Sequence, residues 1–307
     1  MLEKSKFPFQ AQWNPVLHPD YGSPLAAKIK KVRDFVLYYP NRIFAYIFSP
    51  NSAVDYTHNY DQNISSHVFS KQILTPDNVG LNAQVFLLKK DAPLVILFNP
   101  LGAPVDFYDD FSTKLNQHNV SCIHFAYRNH KKIMNGQDLV VDGDSVYQYA
   151  VKELKIDPSR VHFYGHSLGG AVAAVVKKVN LDSTGKYVGD RTFKSIFAVL
   201  TDVLSFQKWG AVIEKITAIF ASFIAYPFTA IGWEWNVEKA FSFMKGAKLV
   251  LFHPDDELFS LKSDAASILP NEAIALTNKD QKLHGLPISL CKVGDIGADS
   301  YVAAFLA

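Results

Sequence analysis

Val161-His162-Phe163-Tyr164-Gly165-His166-Ser167-Leu168-Gly169-Gly170-Ala171-Val172 reads as a short apolar strand, Val161 to Tyr164, running into a helix over Leu168 to Val179, with a serine at the join. A turn that sharp leaves no room for side chains beside the serine, and the flanking positions, Gly165 and Gly169, carry none. The helix that follows brings its N-terminal N–H groups and positive dipole end beneath the serine, where negative charge develops in acyl transfer. Gly170 and Ala171 let that helix approach the sheet closely. The G-x-S-x-G pattern recurs by chance, and its competing reading is a glycine-rich turn with an incidental serine; a strand before it and a helix after it make Ser167 a candidate nucleophile.

A serine hydroxyl attacks poorly unless a base takes its proton, and that base needs an orienting acid. For a serine on such an elbow the chain order is serine, acid, histidine. The acid is expected just past a later buried strand, and Lys248 to Phe252 (Lys-Leu-Val-Leu-Phe) is one, followed by His253-Pro254-Asp255-Asp256-Glu257-Leu258-Phe259. Three carboxylates compete there, and those that do not serve the site are solvated loop charges. The base is expected near the C-terminus, where His284 is the only histidine after His253. An oxyanion needs two N–H donors. One is the backbone of Leu168; the other belongs to the loop Phe98-Asn99-Pro100-Leu101-Gly102 after a central strand. Pro100 has no N–H, which leaves Leu101, with Gly102 next. His166, Asn99 and Gly102 are expected to line the substrate site.

Outward from this core, strands and helices alternate. His67 to Leu74 and Leu81 to Lys89, joined at Thr75-Pro76-Asp77-Asn78, predict a hairpin. Pro93 to Phe98 is a continuous apolar run, as in a strand buried on both faces. Phe107 to Gln117 reads as helix, Ser121 to Tyr127 as strand, Asp144 to Leu154 as a helix with an acidic start, and Ala273 to Leu276 as a last strand. The alternation predicts an α/β fold: an open, mostly parallel sheet with helices on both faces. At 307 residues, 49% hydrophobic and 20% charged, the chain supports a large core, which excludes a disordered protein. Two cysteines exclude a disulfide framework, and a net charge of +2 gives no reason to expect a nucleic-acid partner.

Tyr127-Arg128-Asn129, the aspartate-led helix near Asp144, Tyr164 to Gly170, Asp190-Arg191-Thr192-Phe193 and Gly232-Trp233 resemble the α/β-hydrolase superfamily, in its lipase, esterase and abhydrolase-domain group of serine hydrolases. The likeness runs from about His67 to the C-terminus. It implies the α/β-hydrolase fold with a helical lid insertion, a Ser-His-Asp triad acting on an ester through an acyl-enzyme, and no cofactor or metal. Among the three carboxylates it favours Asp256, because an acid, a second residue and two apolar ones follow this strand in such enzymes; Asp255 comes second and Glu257 third. Thioesters and amides yield to the same chemistry, and a non-catalytic lipid- or partner-binding protein is the reading from another class. The chain departs from the group at Asn99-Pro100, where many relatives carry His-Gly.

The run His253 to Glu257 also resembles the zinc-binding run of LmbE-like N-deacetylases. There the run opens the domain, whereas only 50 residues follow Glu257 here. The segment from about 196 to 245 is the expected lid. Within it, Ile216 to Trp233 carries no charge, and at about 18 residues it touches the lower limit for a membrane span. Pro227 divides it, and a span would put Ser167 and His284 on opposite sides of a bilayer. The expectation is a pair of lid helices over the site, flanked by Trp209, Trp233 and Trp235, with dipping into a membrane interface as the second reading. Both favour a hydrophobic acyl group. Residues 1–66, with a helical pattern over Ser23 to Phe48, are expected to form an N-terminal extension without chemistry. Met1 to Asp20 lacks a secretory pattern, so a cytoplasmic chain is expected.

Overall fold

The computed structural model describes residues 9–10, 67–89, 91–103, 107–128, 135–199, 233–278 and 283–307. The expected N-terminal helix and the charge-free core of the expected lid lie outside these residues.

Nine strands form the main sheet, in the order β1-β2-β3-β5-β4-β6-β7-β8-β9. They are β1 (Phe9–Gln10), β2 (His67–Leu74), β3 (Gly80–Leu87), β4 (Leu94–Phe98), β5 (Ser121–Phe125), β6 (Val161–His166), β7 (Tyr187–Asp190), β8 (Lys248–Phe252) and β9 (Ala273–Ala275). The hairpin forms as the sequence predicts, in unbroken register from His67 opposite Leu87 to Leu74 opposite Gly80. Thr75 holds its turn by accepting the Val79 N–H on Oγ1 at 2.9 Å. From β5 to β9 every neighbouring pair is parallel. β10 (Lys292–Val293) and β11 (Ile296–Gly297) make a small separate ribbon.

The apolar runs follow from burial on two faces. Along β4, Leu94, Ile96 and Phe98 belong to one apolar cluster, while Val95 and Leu97 belong to the other. The first face is covered by α2 (Gln137–Lys152), α3 (Leu168–Val179) and α4 (Val237–Phe241), and the second by α1 (Asp109–Gln117) and α5 (Ala298–Leu306). A strand clothed by helices on both sides has no solvent face, so its pattern is continuous rather than alternating.

Three expectations need correction. The helix read from Asp144 begins seven residues earlier, at Gln137, and Asp144 sits inside it, buried, accepting from Asn180 Nδ2 at 2.7 Å. The strand read as Val161 to Tyr164 continues to His166, directly against the serine. Trp233 and Trp235, read as flanking aromatics of an apolar insertion, are fully buried core residues, and Trp235 donates from Nε1 to the Gly136 carbonyl at 3.1 Å. That bond ties the segment to the start of α2. Among the described residues, no helix is long and apolar enough to cross a membrane.

Candidate active site

The parallel register brings the C-terminal ends of β6, β7, β8 and β9 to one edge of the sheet, and the loops leaving those ends build the site. Ser167 lies between β6 and α3 with φ 53° and ψ −121°, a left-handed backbone that a residue with a side chain adopts only under constraint. The constraint is visible on both sides. A Cβ on Gly165 would lie 2.4 Å from the backbone of Gly169, and one on Gly169 would lie 2.0 Å from the Phe98 carbonyl oxygen. The Ser167 N–H donates to the Asp190 carbonyl at 2.9 Å, and the Thr192 hydroxyl donates to the Ser167 carbonyl at 2.7 Å. The bend is thus pinned to β7 and the residues after it.

Ser167, Asp256 and His284 converge from three loops. His284 Nε2 is 2.9 Å from Ser167 Oγ, and His284 Nδ1 is 2.8 Å from Asp256 Oδ2. An ionised carboxylate only accepts, so Nδ1 carries the ring proton and Nε2 offers its lone pair to the serine hydroxyl. Burial pushes the Asp256 carboxyl up. The hydrogen bond and charge of His284, with N–H donors from Phe259 and Leu258, outweigh burial and hold it below its ordinary value. Asp255 is exposed and its N–H donates to His253 Nδ1 at 3.1 Å, which leaves His253 Nε2 to donate to the Asn278 carbonyl at 2.9 Å. Both His253 ring nitrogens are thus engaged by backbone, an arrangement unlike a zinc ligand's. Glu257 points elsewhere: its two carboxylate oxygens lie 3.2 and 3.1 Å from the His284 backbone nitrogen.

Leu168 opens α3, so its N–H has no intrahelical acceptor by position. The loop from Asn99 to Gly102 lies against the first turn of α3, as the approach of Gly169 to the Phe98 and Asn99 carbonyls requires. Leu101 carries an exposed side chain there, and Gly102 adopts φ +69°. Asn99, expected to line the substrate site, has its side chain fixed to β5. Its Nδ2 donates to the Phe125 carbonyl at 2.8 Å and its Oδ1 pairs with His124 Nε2 at 3.0 Å. Because Asn99 presents oxygen to that histidine, His124 donates from Nε2; burial alone pulls its pKa down to about 4 and keeps it neutral. Tyr108 adds a hydroxyl donated to the Phe98 carbonyl at 2.8 Å. These bonds hold the loop at Phe98-Asn99.

His166 stacks on Phe107 with ring centres 5.5 Å apart and lies 5.3 Å from the His284 ring. Neither of its ring nitrogens meets a hydrogen-bond partner among the described residues. Burial, aided by the Arg191 charge, lowers its pKa to about 3. Beneath the site Arg191 donates from Nε and Nη2 to the two oxygens of Asp190, each at 2.8 Å, and from Nη1 to the Leu283 carbonyl. Tyr164 donates its hydroxyl to the same carboxylate at 2.7 Å. Burial raises the Asp190 pKa most, but the charge and hydrogen bonds of Arg191, with His166 and the Tyr164 hydroxyl, together outweigh it and bring it to about 2. Sequence reasoning registered Asp190 and Arg191 as part of a resembling segment without giving them a place in the site. The available signal was an acid–base pair at the end of a strand beside the elbow.

The same architecture occurs in solved esterases. An esterase from Pyrococcus furiosus superposes with a TM-score of 0.57 over 84% of this chain and 96% of that one, at 15% identity. An acetyl xylan esterase from a Paenibacillus species gives 0.55 over 79% and 87%, at 12% identity. An alpha/beta hydrolase domain-containing protein from Arabidopsis thaliana is 36% identical over 73 residues, 24% of each chain. This chain has the α/β-hydrolase fold. An uncharacterized protein of Acanthamoeba polyphaga mimivirus matches this chain at 24% identity over 239 residues, 72% of this chain and 76% of that one. No family model matches the chain. The chain thus spans about a quarter of the plant relative and most of the viral one.

Proposed function

We propose that this α/β-hydrolase is a serine esterase that cleaves acyl esters through an acyl-enzyme. The observation that carries the reading is the pair of contacts at His284, 2.9 Å to Ser167 Oγ on one ring nitrogen and 2.8 Å to Asp256 on the other. His284 Nε2 takes the hydroxyl proton as Ser167 Oγ bonds to the acyl carbon, and Asp256 steadies the imidazolium. The Leu168 and Leu101 N–H groups receive the oxyanion, each contributing about 3 kcal/mol of barrier lowering. When the carbon–oxygen bond to the leaving alcohol breaks, His284 returns the proton to that oxygen. Water then enters, gives its proton to Nε2 and its oxygen to the acyl carbon, and the serine leaves reprotonated. No step calls for a metal or cofactor. The ester preference leans on the esterase neighbours, and a hydrophobic acyl group on the charge-free stretch 216–233, in the cytoplasm or at a membrane surface.

A fluorophosphonate probe and a series of p-nitrophenyl esters of increasing chain length test this reading. The probe is expected to label Ser167 stoichiometrically, Ser167→Ala to abolish labelling and turnover, and the ester series to rise with chain length. An unlabelled wild-type protein, or turnover that survives Ser167→Ala, overturns the proposal. Turnover confined to thioesters or amides overturns its ester assignment, and a flat chain-length series its acyl-pocket assignment.

A further inference from the structure

The two polar ends of one peptide unit, the Leu283 carbonyl and the His284 N–H, are each held by a charged side chain from a different loop. Arg191 Nη1 donates to the Leu283 carbonyl, and the Glu257 carboxylate accepts the His284 N–H at 3.1 and 3.2 Å. We infer that Arg191 and Glu257 form a clamp on this peptide unit and act as positioning residues for His284. The inference rests on the proposed role of His284 as the base, and neither residue touches the reacting atoms.

A peptide unit is planar, so its orientation is set by the two dihedrals that flank it. Gripping it at both poles fixes the rotation that carries the His284 Cα–Cβ bond, and with it the approach of Nε2 to Ser167. The Arg191 end is rigid. Its guanidinium is fully buried and fork-bonded to Asp190, so the third nitrogen points where that pair directs it. Arg191 adopts φ +44°, a left-handed backbone unfavourable for a residue with a Cβ. Strain of this kind persists where surrounding structure over-determines it, and here the Arg191 N–H also donates to the Leu251 carbonyl at 2.7 Å. The Glu257 end comes from the residue after Asp256, so one loop both orients the imidazole by its ring and holds the backbone that carries it. Phe259, two residues further, packs edge-on against the His284 ring with centres 4.7 Å apart.

Glu257 is exposed and its replacement leaves the core intact, so Glu257→Ala and Glu257→Gln provide the test. Gln keeps an acceptor oxygen and loses the charge; Ala loses both. Two readouts are taken on the full chain: hydrogen exchange of the peptide containing His284, and the second-order rate of fluorophosphonate labelling. In Ala, exchange is expected to speed up and labelling to slow by about tenfold or more, the size expected for losing one charge-assisted hydrogen bond. With a p-nitrophenyl ester the loss falls on kcat and not on KM, and Gln restores most of each quantity. Arg191→Lys, which keeps an ion pair with Asp190 and gives up the carbonyl, is expected to show the same signature. Unchanged exchange in Glu257→Ala overturns the clamp, and unchanged labelling with faster exchange overturns its role in positioning. A Gln variant as slow as Ala overturns it too, because charge and not the hydrogen bond is then what matters. If wild type is never labelled, the esterase proposal fails, while the exchange data still decide the clamp.

Discussion

Gly169→Ala gives the sharpest test of how the elbow and the Asn99 to Gly102 loop, proposed to supply an oxyanion donor, depend on each other. A Cβ built on Gly169 lies 2.0 Å from the Phe98 carbonyl oxygen, 2.6 Å from its carbon and 2.7 Å from the Asn99 oxygen. Moving it out to an ordinary contact of about 3.5 Å requires roughly 1.5 Å of separation between α3 and the loop. Neither neighbour yields cheaply, since both are backbone, the Phe98 carbonyl accepts the Tyr108 hydroxyl and Asn99 is bonded to β5. The helix therefore shifts, and Leu168 shifts with it away from Leu101. The overpacking alone costs about 1–3 kcal/mol, with this site at the upper end because no side chain can rotate away. A misplacement of about 1 Å at a reacting site costs on the order of a hundredfold in rate. Thermal unfolding and fluorophosphonate labelling read the two effects separately. Gly285→Ala is the control, because a Cβ there meets nothing within 4 Å although His284 is its neighbour; it is expected to stay within about 0.5 kcal/mol of wild type. A Gly169→Ala protein that melts and labels like wild type refutes both the close approach and the proposal that the Leu168 and Leu101 N–H groups act together.

On the proposed mechanism, Asp256→Asn is expected to lower kcat by about 10⁴-fold, the size the corresponding change has in a known triad enzyme, while exposed Asp255→Asn stays within about twofold in the same ester assay. His166, with its pKa lowered to about 3, holds fewer protons folded than unfolded between about pH 3 and the ordinary value of 6.5. Stability therefore falls as pH drops through that window, and His166→Phe is expected to raise the melting temperature more at pH 5 than at pH 8. Asp264 works with the opposite sign. Burial raises its pKa from 3.8 to about 7, so the folded state holds the extra proton and stability is lost as pH rises from about 4 to 7. Asp264→Asn keeps an oxygen for the Ala266 N–H, now bonded at 2.7 Å, and is expected to raise the melting temperature at pH 8 and leave it little changed at pH 4.

The elbow was legible because its constraints are local: a strand that ends, two positions that tolerate no Cβ, and a helix that begins. β4 and β8 were legible for a similar reason, being unbroken apolar runs of five and four residues. The start of α2 was not. Asp144 read as the acidic start of the helix, yet it and Asp142 both lie buried inside it. Asp142 is neutralised by Arg128, which donates from Nε at 2.8 Å across 14 residues of chain, and Asp144 is hydrogen-bonded by Asn180 across 36. A buried polar residue looks like a solvated one until its partner is known, and partners at that distance leave no trace in periodicity. β7 escaped notice because four residues including Gly189 carry no period, although the strand fills the gap between β6 and β8.

The same limit explains why Arg191 and Glu257 were harder to place than Ser167, Asp256 and His284. Triad chemistry prescribes residue types and an order along the chain, so three residues were selected from sequence by what they do. Positioning residues are prescribed only by register. His166 pairs with Asp190 and Asp190 with Leu251, while Phe252 pairs with Ala275, so the strands end level and each releases its loop at the same edge of the sheet. One loop supplies Ser167, the next Arg191, the next Asp256 with Glu257, and the last His284. A one-residue slip of β7 would reverse the faces of its side chains, carry Asp190 away from the Tyr164 hydroxyl and take Arg191 away from the Leu283 carbonyl. The cost of leaving those buried polar groups unpaired holds β7 in register, and the register in turn holds the Leu283–His284 peptide within reach of the guanidinium.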